Sequence, residues 1–491
     1  MAPTSWRNPE RLASSLGLWS SGDGPLYRQL ADAIDHLIAV GAIAPGEVLP
    51  PERALSNELD VARGTVVRAY AVLTERHQVE RVQGSGTRVA DRTAASSDRP
   101  SARPSRRELV SDPLFSPSHA AIDLRVAVPD VLPTVLDVLD SVDLRAHIDV
   151  LDDDEPAGIP ALRDRIARHH TDRGLPTTPQ EILITAGAQS GIALCAALLT
   201  QPGDVALREE TSWPGFIDAV ARQGGRTQGV DSDDDGIVPD ALERAIVRHR
   251  PALVALNPHH HNPTGSRLSP ERRRRVAQLG ADFGLPIVED RVLAPLAFDR
   301  QPPPLPLAAE ITGSDRRTDH FIVDSVNKVA WPGLRLGWIR ADPAAISQLR
   351  SLRATVDLYS PIHSQLAALA LLDRYDELAA ERVLQLRARA ELLVDGLRAE
   401  IPEWDVRRPR GGLVLWIRLP EGSAAGFCEH AARYGVLIAH GEQFGSSDDT
   451  HVRIAFTDPP ESIEQAVPRL AAAWQYFDTS RDRPLAATRR A

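Results

Sequence analysis

Short apolar runs, Glu181-Ile182-Leu183-Ile184-Thr185, Ala252-Leu253-Val254-Ala255-Leu256 and Pro286-Ile287-Val288-Glu289, alternate with long helical patterns in the C-terminal part of the chain. Strand-sized runs separated by helix-sized ones admit few architectures, and the alternation predicts an α/β fold built on a mostly parallel sheet. Where a strand hands over to a helix, backbone N–H groups and the helix dipole can hold an anion. Gly187-Ala188-Gln189-Ser190-Gly191 stands at such a junction, and Gly187, Ala188 and Gln189 are expected to bind a phosphate.

Further along, the segment Asp324-Ser325-Val326-Asn327-Lys328-Val329-Ala330-Trp331-Pro332-Gly333-Leu334-Arg335-Leu336-Gly337 holds Lys328, the only lysine in 491 residues, against 55 arginines. A guanidinium stays protonated at any physiological pH, whereas an amine can lose its proton and attack an aldehyde. A chain so depleted of lysine keeps one where arginine will not do, so Lys328 reads as a Schiff-base lysine. Ser325 and Arg335 flank it with a hydroxyl and a bidentate cation, the groups that suit a phosphate monoester. The expected cofactor is pyridoxal 5'-phosphate. Ser-x-x-Lys followed seven residues later by Arg-Leu-Gly resembles the cofactor-lysine segment of the fold-type I aminotransferases.

The resemblance gives roles to further residues in chain order. Trp213, in Glu209-Glu210-Thr211-Ser212-Trp213-Pro214-Gly215, would stack on the pyridine ring. Asn262, in Asn257-Pro258-His259-His260-His261-Asn262-Pro263-Thr264-Gly265, would donate to the cofactor's phenolate oxygen. The histidine triplet is not read as a metal site, because adjacent side chains cannot all converge on one ion. Asp290 would pair with the protonated pyridine nitrogen and keep the ring an electron sink. The family commonly places a tyrosine two residues after this aspartate, where the chain has Val292, and Asn327 stands where a second serine is usual. Arg453, in the strand-like His451-Val452-Arg453-Ile454-Ala455-Phe456, would grip an effector carboxylate through a bidentate pair.

The N-terminal part has a different pattern. Leu26, Leu30, Ile34, Leu37 and Ile38 recur at helical spacing until Gly41. Leu49-Pro50-Pro51-Glu52-Arg53 opens a second helix with Leu55 and Leu59 facing inward, and Asp60-Val61-Ala62-Arg63-Gly64-Thr65 turns into a third, Thr65 to Glu75. Val79 to Val89 reads as two strands around Gly84-Ser85-Gly86, a wing on a helix-turn-helix. The three motifs in order resemble the GntR-type winged helix. By that resemblance Arg53 and Arg63 would reach base edges or phosphates, Thr65 a phosphate, and Gly84, Ser85, Gly86 and Thr87 the minor groove of operator DNA, while the recognition-helix site often held by arginine falls on Val67, with Arg68 as a DNA contact one place on. With seven arginines against eight acidic residues over 24–90, such a module must rely on a one-sided charge distribution.

Residues 91–118 carry seven serines and four prolines, the composition of a flexible linker. The expected organisation is therefore an N-terminal arm (1–23), a winged helix-turn-helix (24–90), a linker (91–118), an aminotransferase-like domain (119–479) and a tail (480–491). Two cysteines are too few for a disulfide framework, no apolar run reaches the roughly 18 residues of a membrane span, and the polar N-terminus lacks a signal sequence, so a cytoplasmic protein is expected. The net charge of −11 argues against a protein that coats nucleic acid. The whole chain resembles the MocR family of transcription regulators, which implies a homodimer that binds double-stranded DNA and senses an amino compound, or pyridoxal phosphate itself, through an aldimine at Lys328. The alternative is an active aminotransferase with an accessory DNA-binding head; the hydroxyl missing at Val292 makes residual transaminase chemistry the most that is expected.

Overall fold

The computed structural model describes residues 6–16, 19–20, 24–39, 43, 46–75, 78–82, 86–89, 121–143, 156–299, 301–310, 319–446 and 449–477. The chain divides into two units, Met1–Arg103 and Pro104–Ala491. The expected linker and tail lie wholly outside the described residues.

The first unit contains α1 (Pro9–Leu16), α2 (Leu26–Ala39), α3 (Glu52–Glu58), α4 (Arg63–Glu75) and the antiparallel pair β1 (Val79–Val82) and β2 (Gly86–Val89). Leu30, Ile34 and Leu37 of α2 meet Leu55 of α3 and Val66, Ala69, Tyr70 and Leu73 of α4 in one core. The segment expected to be an arm departs from that reading. Residues 9–16 form a helix whose Leu12 and Leu16, with Trp6, are buried in the same core, while Arg11 lies 4.1 Å over the Trp6 ring. Helix α4 also begins at Arg63, two residues before the expected Thr65. Asp60 takes a left-handed φ of 51°, and the Val61 N–H closes on the Ser56 carbonyl at 3.1 Å, so the turn is complete by Ala62.

The buried Tyr70 hydroxyl donates to the Pro50 carbonyl at 2.8 Å, tying the middle of α4 to the proline corner before α3. Burial, helped by Glu52, pushes the phenol well above its ordinary range, so it stays a neutral donor.

The second unit contains β3 (Ile122–Asp123), β4 (Ile182–Thr185), β5 (Val205–Glu209), β6 (Arg226–Val230), the small hairpin β7 (Ser232–Asp233) and β8 (Gly236–Ile237), β9 (Leu253–Leu256), β10 (Ile287–Asp290), β11 (His320–Ser325), β12 (Gly337–Arg340), β13 (Val414–Arg418), β14 (Val436–Leu437), β15 (Ala439–His440) and β16 (His451–Ala455). Seven of them form one sheet in the order β4-β12-β11-β10-β9-β5-β6. Only β12 runs against its neighbours, β11 and β4. Every residue of β4, β5, β9 and β11 is buried, because helices cover both faces of the sheet. On one face Leu183, Val288 and Ile339 pack against Ile192, Phe216 and Ile346; on the other, Leu207, Val254 and Ile287 pack against Leu242, Val276 and Leu279. A second sheet, β13-β16-β15, carries the C-terminal segment, and β14 pairs in parallel with β3. No described helix is long and apolar enough to cross a membrane.

Replacing Tyr70 by Phe keeps the packing and leaves the Pro50 carbonyl buried without its donor. The expected cost is about 1–3 kcal/mol, read as faster hydrogen exchange of residues 63–75 in the full chain with residues 182–340 unaffected.

Candidate functional site

The ends of β10, β11 and β4 and the start of β12 converge on one cavity of about 460 Å³. Its lining includes Ala188, Gln189, Trp213, Asn262, Asp290, Ser325, Lys328, Arg335 and Arg453. Residues expected from six separate stretches of sequence are thus brought to one place.

At the anion end, Gly187 stands just before the helix Ala188–Leu199 with φ of 93°. A Cβ there would stand 3.4 Å from Arg335 Nη2 and Asn327 Nδ2, a tolerable distance, so it is the left-handed φ that favours glycine here. Arg335 itself has a left-handed φ of 49°, and its Nη2 reaches the Ala186 carbonyl at 3.2 Å. A helix N-terminus and a guanidinium therefore face the same space, the donor set that a phosphate monoester takes.

Two residues expected to touch the phosphate have other partners. The Ser325 hydroxyl donates to the Leu336 carbonyl at 2.6 Å and accepts from the Asn327 N–H at 3.1 Å. Gln189 accepts from the Trp213 indole at 2.6 Å and donates to the Gly215 carbonyl at 2.8 Å, so its amide orients the aromatic ring. Both line the cavity, with their polar atoms engaged in holding its walls.

Asp290 ends β10, with one carboxylate oxygen accepting the Val292 N–H at 3.1 Å. Burial pushes this carboxyl up to about 6, against the opposing pull of the Val292 N–H, the Asn257 amide and the Lys328 charge. Neither Val292 nor Leu293, both in the cavity wall, carries a hydroxyl. Lys328 donates from Nζ to the Ala127 carbonyl at 2.6 Å.

Arg453 lies on β16 opposite Trp416 and Ala439 and is only 4% exposed. It donates to Asn262 Oδ1 at 3.1 Å and to the Arg125 carbonyl, and its guanidinium lies 4.5 Å from the Phe444 ring centre. Burial lowers its pKa to about 10, which leaves it charged at neutral pH. Because Arg453 takes the Asn262 oxygen, the Asn262 NH2 group is left as the donor. Asn257 completes the floor: its Oδ1 accepts the Asn262 N–H at 3.3 Å and its Nδ2 reaches the Asp290 carbonyl at 3.4 Å. Asn257 and the segment Asp123–Val128 were not singled out by sequence, the latter because it takes part largely through backbone atoms.

The histidine triplet is buried and kept neutral by that burial, with His259 lowered to about 3 and His260 and His261 to about 4. His259 packs on the Arg291–Glu289 pair, with Arg291 Nη1 at 2.9 Å, and His261 Nδ1 lies 2.8 Å from the Thr264 hydroxyl. Among the described residues, no group of three His, Cys, Asp or Glu is placed to hold a metal ion.

In the first unit, Arg53, Arg63 and Arg68 are exposed and Thr65 is half-buried. Tyr27 of α2, not anticipated from sequence, lies 5.7 Å from the Arg68 guanidinium and 6.0 Å from that of Arg28. Thr87 departs from expectation: it is 7% exposed, since alternation along β2 turns Thr87 and Val89 to the same inner face. Its side chain faces the core of this unit. Gly84 and Ser85 lie outside the described residues, and Gly86 is described only as the first residue of β2.

Gly337 sets how closely β12 approaches the anion cradle. A Cβ there would stand 2.7 Å from the Ala188 nitrogen and 2.8 Å from the Asp324 carbonyl oxygen, both backbone atoms. Gly337→Ala is expected to lower stability by about 1–3 kcal/mol, measured by urea unfolding of the second unit's transition.

Residues 154–470 match the family described as aminotransferase class I and II, and residues 26–89 match the gntR family of bacterial regulatory proteins. The chain is 29% identical over 495 residues to the HTH-type transcriptional regulator TauR of Rhodobacter capsulatus, covering 94% of this chain and 98% of TauR. It is 32% identical over 303 residues to the 2-aminoadipate transaminase of Thermus thermophilus, covering 60% of this chain and 75% of the transaminase. Among solved structures, Thermus thermophilus LysN, an α-aminoadipate aminotransferase complexed with N-(5'-phosphopyridoxyl)-L-leucine, aligns with a TM-score of 0.67 at 28% identity, over 73% of this chain and 92% of LysN. The chain belongs to the aminotransferase class I and II family and joins to it a gntR-family regulatory domain, the pairing found in the MocR regulators.

Proposed function

We propose that this protein is a pyridoxal-phosphate-dependent, DNA-binding transcriptional regulator, a cytoplasmic homodimer that responds at Lys328 to an amino compound or to the cofactor itself. The observation that carries the proposal is the gathering of the chain's sole lysine, Asp290 and buried Arg453 around one cavity, in a chain whose other unit is a winged helix.

The residues fit pyridoxal phosphate. Gly187, Ala188 and Arg335 would hold its phosphate, Trp213 would pack on its ring, the Asn262 NH2 would donate to its phenolate oxygen, and Asp290 would pair with its ring nitrogen. When bound, the cofactor supplies an aldehyde and an electron-withdrawing pyridinium ring. A carboxyl as readily protonated as Asp290 gains from that pairing, since an adjacent pyridinium favours its ionised form. Arg453, desolvated but charged, holds the effector's carboxylate close to Lys328. Two chains would supply the two heads that a two-half-site operator needs.

Sensing is favoured over turnover because no hydroxyl stands at Val292 or Leu293 to tune the ring. The transaminase relative supports the second reading, an active aminotransferase. Turnover with common keto acids on the order of 1 s⁻¹ or faster would replace the proposal with that reading.

The test uses the full-length protein and a duplex that it selects from a random pool. Arg53→Ala and Arg63→Ala are expected to weaken binding by about 1–3 kcal/mol each if they contact base edges, with cofactor absorbance unchanged. Arg453→Ala is expected to keep the cofactor and lose the change in DNA affinity that amino acids produce. A normal response in that variant, or undiminished DNA binding by both α3 and α4 variants, contradicts the proposal.

A further inference from the structure

Residues 125–130 form a short strap beside the cavity, and its two ends are fixed differently from its middle. On one side, the Leu124 N–H bonds the Leu437 carbonyl at 2.9 Å and the Leu124 carbonyl accepts the Ala455 N–H at 2.8 Å. On the other, the Asp130 carbonyl accepts from Arg382 and its carboxylate from Arg389, each at 2.6 Å. Between these points three consecutive carbonyls are taken by three side chains: Arg125 by Arg453, Val126 by the Thr457 hydroxyl at 3.1 Å, and Ala127 by Lys328 Nζ at 2.6 Å. Val126 and Val128 meanwhile stand 50% and 42% exposed, so of residues 126–128 only the small Ala127 packs against the core.

Two of those three side chains are the groups that the reading above assigns to the cofactor and the effector. We propose that the strap is a resident competitor for both, clamped at Lys328 and Arg453, and that release of one clamp favours release of the other. The proposal rests on pyridoxal phosphate binding at Lys328. In cofactor capture the Lys328 ammonium gives one proton to solvent, its nitrogen bonds the aldehyde carbon, and its other two hydrogens leave with the aldehyde oxygen as water, so no N–H is left for the Ala127 carbonyl to accept from. An effector carboxylate offers Arg453 an ionised acceptor in place of the neutral Arg125 carbonyl, the stronger of the two bonds. A strap freed at one carbonyl is held less firmly at the next, so the two ligands bind cooperatively through it. The coupling is reciprocal, as linkage requires.

Hydrogen exchange of residues 122–132 in the full-length protein tests this. Adding pyridoxal phosphate, with uptake followed by absorbance, should speed strap exchange on the order of ten-fold, the loss of one charge-assisted bond. Lys328→Ala should show the same fast exchange with no ligand and no further change when pyridoxal phosphate is added. Thr457→Val, which removes the clamp on the Val126 carbonyl between the two that ligands contest, should tighten pyridoxal phosphate binding by roughly two- to five-fold, in line with one neutral hydrogen bond. The proposal is overturned if the cofactor is taken up and strap exchange stays unchanged, if Lys328→Ala leaves the strap as protected as wild type, or if Thr457→Val binds the cofactor no more tightly. Failure of the wild type to take up pyridoxal phosphate at all overturns the cofactor reading, and the strap with it.

Discussion

The lysine-bearing loop is closed at its base by strand pairing, and the geometry of the site follows from that closure. The chain leaves the large sheet at Ser325, the end of β11, and re-enters it at Gly337, the start of β12, and these two residues pair directly across the sheet. Gly337 pairs also with Thr185 of β4 on its other side. The residues between them therefore form a loop with fixed ends, and its interior is cross-braced by the Ser325 hydroxyl on the Leu336 carbonyl and by Asn327 Oδ1 on the Leu336 N–H at 3.3 Å. A flexible lysine on such a base keeps freedom only in its side chain, so little entropy is left to lose when its nitrogen is positioned. The same closure sets Arg335 beside Gly187.

Arginine does the structural work around that loop. Arg382, buried, donates to the carbonyls of Val329, Ala330 and Asp130 and so ties the residues after Lys328 to the strap. Arg353, also buried, holds Ser360 and the carbonyls of Pro156 and Ile184. A planar guanidinium with five donors can satisfy several carbonyls at once and remain hydrated weakly enough to be buried. The division of labour is plain: arginines fix the frame, and the one lysine is kept for chemistry that a permanently protonated group cannot do.

The parallel sheet was legible because strands buried on both faces must be apolar throughout, and the motifs were legible because each has a strand end on one side and a helix or turn on the other. What sequence did not convey is mostly a matter of partners. Ser325 and Gln189 carry groups suited to a phosphate, but neighbours that are distant in sequence, Leu336 and Trp213, take those groups. Helix α1 was missed because an eight-residue helix with two buried leucines has too weak a period to stand out from an arm. Thr87 was placed by motif, and the alternation of β2 turned it inward. The strap carried no signal, since carbonyls have no residue type and one of its fixed ends depends on arginines more than 250 positions away in sequence.

Lys328 is proposed as the point of covalent contact with pyridoxal phosphate in a chain that also carries a winged helix. Borohydride reduction of the cofactor-saturated protein, followed by peptide mass mapping, tests it most directly. A pyridoxyl group is expected on the peptide that contains Lys328 and on no other. Cofactor-saturated protein whose Lys328 peptide emerges unmodified would contradict it.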